Sequence, residues 1–486
     1  MWHPRNRPSQ RAPRATPTSF AVASGPNRSW LVDRKYTPVV TLMFYTVMLL
    51  VTVPVPDTLF HPQYGEFHNY TPEPSRLYET LKASVLIISV AVLIWRFSFA
   101  ALLAREVNRF LIAFLVLALL STSWSIEPAI TLKQSVLLFL DCAACCACVM
   151  VGWYERRFQE ILRSFLTALM IGSLIFCIFW PDLAKEQGTT VSLEGAWHGL
   201  TGQKNALGHA ASITTLLWLH GLLTKEVKIW KFALGFSAGI ACLILSRSST
   251  AMFCALFSNV LLLLLLRGPK AKRRYLVFMV TVFAALILVY SLAALNIVPG
   301  LDFLLQPFIA TTGKDATFSG RTHIWAVLRE HISHQPLLGS GYGAYWGVGP
   351  LPRSPSTATM EKYSNYYPSE GHNGYLENLN DLGYIGLMCL LGFLVVFLRQ
   401  SLAQLKIGYE QVTIYVALLL EELVSNMTSS EWLQPGSLST PIVMLATFAL
   451  ARALVDQRLH GQPQQIPEAT RRIRRRRASF ASGRAK

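Results

Sequence analysis

Apolar residues in this chain come in long blocks separated by short polar turns, a pattern that buries whole helices in lipid rather than one helix face in a soluble core. Twelve such blocks are centred on residues 41–53, 83–95, 110–120, 135–151, 165–180, 206–223, 232–245, 251–266, 276–294, 387–398, 412–423 and 441–455. With their flanks, each approaches the roughly 20 residues that a helix needs to cross a hydrocarbon core of about 30 Å. The predicted fold is an all-α polytopic membrane protein of about twelve transmembrane helices. One polar stretch breaks the series: residues 297–375 carry Arg321, His372, Asn373 and many aromatic side chains between two apolar blocks. Chemistry is expected there.

Hydrophobic residues make up 52% of the 486 and charged residues only 15%, which excludes an ordinary soluble domain. Of the 44 Lys and Arg, 33 fall in residues 1–36 and 452–486 and in the turns at 96–109, 156–163, 225–231, 267–274 and 399–406. All of these lie on one side of a twelve-helix path, so the positive-inside bias sets both ends in the cytoplasm and 297–375 outside. The expected organisation is a basic cytoplasmic tail over 1–36, helices one to nine over 37–296, a large periplasmic loop with an amphipathic helix over 297–375, helices ten to twelve over 376–455, and an Arg-rich cytoplasmic tail over 456–486. The net charge of +17 is then mostly topological. The run Arg471, Arg472, Arg474, Arg475, Arg476, Arg477 reads as a topogenic or anionic-lipid contact beside a last helix, and a nucleic-acid partner is rejected. The first apolar block begins far from Met1 and ends in Pro54, Val55, Pro56, Asp57 rather than at a small-residue cleavage site, so it is expected to stay as an anchor.

All eight cysteines lie in or at the ends of apolar blocks, with Cys142, Cys145, Cys146 and Cys148 in the fourth. Thiolates in lipid without histidine partners make a poor metal centre, whereas small side chains suit close helix contact. No metal and no cofactor are expected. The stretch Thr311, Thr312, Gly313, Lys314, Asp315 lacks the spaced first glycine and the hydroxyl after lysine of a phosphate loop, and it lies outside, where ATP is absent. A reaction here must draw on a preactivated donor.

Three outer connections supply the candidate groups. Gly199 to Gly208 forms a polar turn entering a helix, where free amides and Lys204 could hold an anion, or Lys204 could simply cap the membrane interface. Leu245, Ser246, Arg247, Ser248 places an arginine in a very short outer turn, against the positive-inside bias; it either acts on a substrate or snorkels. Arg321 opens a segment whose Ile324, Trp325, Leu328 and Ile332 share one helical face, as in an amphipathic helix lying on the membrane. Glu370, Gly371, His372, Asn373, Gly374, Tyr375 then leads into helix ten. Tyr342, Tyr345, Trp346, Tyr363, Tyr366, Tyr367 and Tyr375 crowd the same loop, as sugar-stacking planes or as an interface belt.

These residues resemble the O-antigen ligase and Wzy-type polysaccharide polymerase superfamily, including exopolysaccharide polymerases of the ExoQ type. The resemblance rests on Ser123 to Pro128, on Lys204 and Asn205, on Ser246 to Ser248, on Gly320 and Arg321 through Trp325 with Pro336 to Gly343, and on His372 to Glu377 with Leu382, Gly383, Ile385 and Gly386. Gln203 stands where the pattern leads one to expect histidine. What the resemblance implies is a metal-independent inverting glycosyltransferase of the membrane-embedded C type (GT-C architecture), in the bacterial inner membrane with its site on the periplasmic side. Its donor would be a glycan on undecaprenyl pyrophosphate. Arg247 and Arg321 would act with His372 in catalysis, the arginines on the pyrophosphate and a neutral His372 on the acceptor hydroxyl. Lys204, Asn205, Asn373, Trp325 and Tyr375 would bind substrate. The expected partners are the undecaprenyl-pyrophosphate-linked oligosaccharide, a glycan acceptor and the lipid bilayer, with a chain-length regulator and a flippase beside them. The acceptor separates a repeat-unit polymerase, which is favoured, from an O-antigen ligase that transfers to lipid A core.

The rival class is a polysaccharide or lipid transporter, because Asp141, Glu421 and Glu422 lie within or beside apolar blocks, and intramembrane carboxylates often mark transport paths. Against it, no internal repeat is seen and the distinctive residues gather on one face.

Overall fold

The computed structural model describes residues 26–53, 76–186, 195–268, 274–280, 282–283, 286, 321–346, 370–406 and 408–460. Its helices of ten residues or more are α1 (Pro26–Thr52), α2 (Arg76–Trp95), α3 (Phe97–Glu106), α4 (Arg109–Leu120), α5 (Pro128–Met150), α6 (Arg157–Phe179), α7 (Lys204–Leu223), α8 (Ile229–Leu245), α9 (Ser249–Arg267), α10 (Arg321–His334), α11 (Gly374–Ala403), α12 (Tyr409–Ser425) and α13 (Ser439–His460). Eleven of the twelve apolar blocks fall on these helices. The ninth is helical over 274–280, and most of the rest of it lies outside the described residues, as do Thr311 to Asp315, Gly320, Tyr363, Tyr366 and Tyr367. Among the described residues, eight helices are long and apolar enough to cross a membrane, and the extended pairing comes down to a bridge between Lys185 and Trp197. The chain is an all-α, multi-pass membrane protein.

The basic turn over 96–109 holds a helix of its own, α3, that the hydropathy pattern did not suggest. Asn108 ends the turn and starts α4: its side chain accepts from the Phe110 amide and donates to the Phe393 carbonyl at 2.8 Å, so a fully buried amide is satisfied twice.

The most unusual element is α11, which is broken inside the bundle. Gly383 sits at φ 64°, ψ −164°, and the segment 336–341 lies in the gap. Tyr384 donates to the Pro336 carbonyl at 2.8 Å and Ile385 to Leu337 at 3.3 Å, while Ser340 donates to the Asn380 carbonyl at 3.0 Å and Gly341 to Asp381 at 2.9 Å. The inserted backbone thus replaces helical hydrogen bonds on both sides of the break, which is what permits a break away from water. Two glycines make the approach possible. A Cβ on Gly383 would stand 2.3 Å from the Leu337 carbonyl, and one on Gly339, at φ 67°, would stand 2.5 Å from that of Asp381. The turn after α4 completes the knot: Ile126 donates to the Ser340 carbonyl, the Trp124 indole to Leu338 at 3.1 Å, and the Tyr342 amide to Ser121 Oγ at 3.1 Å. Three pieces of the resemblance, Ser123 to Pro128, Pro336 to Gly343 and Leu382 to Gly386, therefore converge here, and their common task is to hold one backbone against another.

Candidate functional site

The starts of α7, α9, α11 and α13 and the ends of α8 and α12 meet at one end of the bundle, the end assigned by charge to the outside. Glu186 accepts from the Lys204 amide at 3.2 Å, so the α7 N-terminus already has a carboxylate beside it. One turn of chain away, Ser248 caps α9 and donates to Asn205 Oδ1 at 3.0 Å, which fixes the Arg247 turn against the start of α7. Asn205, expected to bind substrate, joins two helix starts through its side-chain oxygen. Arg247 itself is exposed at the apex and holds a left-handed φ of 50°.

On the other side of the same end, α10 presents Ile324, Trp325, Val327, Leu328 and Ile332 to a small apolar cluster completed by Tyr345 and Leu376. This is the amphipathic face read from the sequence. Trp325 is 3% exposed and its indole donates to the Gly371 carbonyl at 3.0 Å, so it pins α10 to the residue before His372. Arg321 opens the same helix, four residues earlier, partly buried.

His372 is partly exposed and has a φ of 51°. Its Nδ1 stands 2.8 Å from Glu370 Oε1. Glu370 was read in sequence without a role. Asn373 is the N-cap of α11: its Oδ1 accepts from the Tyr375 and Leu376 amides at 3.1 and 3.0 Å, and its amide group donates to the Met427 carbonyl at 3.2 Å. Tyr375 donates its hydroxyl to the Leu423 carbonyl at 3.1 Å. Glu377 accepts from the Gly371 amide, the Trp346 indole and Ser430 Oγ. Asn373, Tyr375 and Trp325, three of the five residues expected to bind substrate, thus spend polar groups on shaping the mouth of α11.

The loop between α12 and α13 links the two halves. Ser430 Oγ accepts from the Asn373 amide at 3.1 Å, and Glu431 Oε2 lies 2.8 Å from His209 Nδ1 on α7. Burial pushes the Glu431 carboxyl up, yet His209 and hydrogen bonds from His209 and Ser439 hold it below the ordinary carboxylate value. Two of the four non-glycine residues with positive φ among the described residues are Arg247 and His372, and a third, Leu433, is in this linking loop. Strained backbone is costly and persists where the surroundings demand it, which is common at functional sites.

Residues 232–391 match the family model described as Wzy_C, O-antigen ligase. That match spans about a third of the chain and contains Arg247, Arg321, Trp325, Glu370, His372, Asn373 and Tyr375, while Lys204, Asn205 and the α12–α13 loop lie outside it. The chain is also 27% identical, over 296 residues, to the exopolysaccharide production protein ExoQ of Rhizobium meliloti (strain 1021), covering 58% of this chain and 62% of the relative. The chain thus spans less than two thirds of the length of the curated relative it matches. The resemblance drawn from the motifs to the O-antigen ligase and Wzy-type group is borne out by both matches.

Proposed function

We propose that the protein is a membrane glycosyltransferase that moves a glycan from an undecaprenyl-pyrophosphate donor onto an acceptor sugar during exopolysaccharide or O-antigen assembly, most directly as a repeat-unit polymerase. The observation that carries the reading is the pairing of strain with chemistry. Arg247 and His372 both hold left-handed backbone at one end of the bundle, and His372 Nδ1 is 2.8 Å from Glu370. An Nδ1–H directed at that carboxylate leaves Nε2 with its lone pair, ready to accept a proton.

In the proposed step the acceptor hydroxyl gives its proton to His372 Nε2 as its oxygen bonds to the anomeric carbon. The bond from that carbon to the phosphate oxygen breaks, and the lipid pyrophosphate leaves with the electron pair. Arg247 and Arg321, with Lys204 beside them, neutralise the charge that develops on the pyrophosphate. A single displacement inverts the anomeric configuration, and the step is written without a metal. The site would face the periplasm from the inner membrane, where lipid-linked glycans are delivered by a flippase and product length is set by a regulator.

The ligase reading is favoured by the description of the matched family, and the polymer reading by the name of the matched relative. Purified protein given a defined lipid-linked oligosaccharide separates them. Longer lipid-linked chains formed without lipid A core support the polymerase, transfer only when core is supplied supports the ligase, and no transfer to either acceptor overturns the enzyme reading.

A further inference from the structure

We propose that His209, Glu421 and Glu422 form a buried binding site for one divalent first-row cation of the Zn²⁺ or Mn²⁺ kind, beneath the outer face. His209 is on α7 and is 3% exposed; Glu421 and Glu422 are neighbours on α12 and are fully buried. His209 Nε2 stands 3.9 Å from Glu421 Oε1 and 3.6 Å from Glu422 Oε1, and one ligand atom from each of the three residues lies within 4.8 Å of the others. A tetrahedral ion with bonds of about 2.0–2.1 Å sets neighbouring ligand atoms roughly 3.3 Å apart, so only small rotations of the carboxylates are needed.

Three features separate this group from a chance acidic cluster. His209 Nε2, Glu421 Oε2 and Glu422 Oε1 are buried without a hydrogen-bond partner, and His209 Nε2 faces the two carboxylates. The outer groups have the arrangement that metal sites use to orient their ligands: Glu431 stands 2.8 Å from His209 Nδ1, Ser212 donates to Glu421 Oε1 at 2.6 Å, and Ser439 donates to Glu422 Oε2 at 2.6 Å. The charge balance leaves room for a cation. Among the described residues, the ion-pair partners of Glu421 and Glu422 come down to His209, so the buried carboxyls are neutralised either by protons that they keep or by a bound cation that displaces those protons. One nitrogen with carboxylate oxygens suits Zn²⁺ or Mn²⁺.

Such an ion would tie α7 to α12 and, through Glu431, to the loop that supports Asn373. It gives Glu421 and Glu422 a role closed within the bundle rather than one on a transport path. It also departs from the expectation that this chain holds no metal. The proposal does not depend on whether the protein transfers glycans, because its test reads metal and stability.

Detergent-purified wild-type protein is analysed for metal content, then stripped with a chelator and melted with and without added Zn²⁺ or Mn²⁺. The expected result is close to one equivalent of zinc or manganese, a lower melting temperature after stripping, and its recovery on adding back either ion. His209→Ala and Glu422→Gln should retain less than a tenth of the metal, while Cys145→Ser and Cys148→Ser retain all of it. Should the substituted proteins fail to fold, X-ray absorption on the wild-type ion decides: nitrogen and oxygen ligands support the site, and sulfur ligands overturn it. Metal-free wild-type protein that does not respond to added Zn²⁺ or Mn²⁺ also overturns it, and leaves shared protons as what holds the cluster together.

Discussion

The broken helix and the outer face are built from the same stretch of chain and solve opposite problems. At the break in α11, main-chain donors and acceptors meet in pairs, with Tyr384 on Pro336, Gly341 on Asp381 and Ser340 on Asn380, and the side chains that matter most are the missing ones of Gly339 and Gly383. Just before α11 begins, Glu370, His372 and Asn373 lie at the outer end, where His372 is held in strained backbone and stays partly exposed. One region pairs its main-chain groups across the break. The other leaves Arg247 and His372 accessible, with their strain held by the surroundings, as the proposed chemistry requires. If this division is right, substitutions in the two regions should fail in different currencies.

The largest effect is expected at His372. Replacing it with alanine should lower transfer by about 10²- to 10⁴-fold, the usual contribution of a positioned general base, while the melting temperature of the detergent-solubilised protein stays close to wild type. A loss of folded protein in step with activity would move His372 into the structural region. Gly383→Ala should do the reverse. A residue at φ 64° with a Cβ 2.3 Å from the Leu337 carbonyl has to unseat the inserted segment, a cost on the order of 4–5 kcal/mol. Size-exclusion profiles should show little monodisperse protein, and a Gly383→Ala protein that melts like wild type would show that the insertion does not hold the bundle.

Much of this division was legible in the sequence, though not its meaning. The twelve apolar blocks and their charge bias led to the helices, because lipid imposes a length and a composition that survive without knowing any contact. The face of α10 was read from the spacing of Ile324, Trp325, Leu328 and Ile332, and the structure buries those residues together. The break at Gly383 was not foreseen, since it depends on a second backbone, that of Pro336 and Leu337, arriving from far along the chain. Residues singled out for substrate proved to have local duties: Asn373 caps α11, Trp325 pins α10, and Asn205 receives the hydroxyl of Ser248. His209 went unread because one histidine in an apolar block is unremarkable. The available signal was an ionisable residue in each of two apolar blocks, His209 in one and the adjacent pair Glu421 and Glu422 in another, since such groups in lipid tend to pair with one another.

Glu370→Gln sharpens the comparison with a smaller effect. In the proposed step, the 2.8 Å contact to His372 Nδ1 fixes which ring nitrogen is turned to the acceptor. Losing a charge-assisted hydrogen bond of about 1.5–3 kcal/mol corresponds to roughly a ten- to hundredfold fall in rate. It should appear in kcat more than in KM for the donor, since Glu370 acts on the histidine and not on the pyrophosphate. Equal losses in both would assign Glu370 to donor binding.

The smallest effect concerns acid. His331 lies on α10 with its ring 4.6 Å from that of Tyr345, and burial, reinforced by His334, lowers its pKa below the ordinary histidine value. A histidine that titrates lower in the folded protein than in the unfolded chain binds fewer protons when folded, so its contribution to stability is complete above the unfolded pKa of about 6.5 and is lost as the pH falls through the folded value. Acidification below about pH 6.5 should therefore loosen α10 from Tyr345 and Leu376 before the insertion at Gly383, whose main-chain hydrogen bonds do not titrate and whose nearby carboxyl, Asp381, accepts from the Gly343 amide at 3.0 Å. Hydrogen exchange resolves the two: amides of α10 should exchange faster at pH 5.5 than their chemical rate predicts, those of Tyr384 and Gly341 should not, and His331→Gln should remove the difference. Equal acceleration in both regions would mean that acid opens the bundle as one unit, and that the outer face and the broken helix are a single cooperative structure after all.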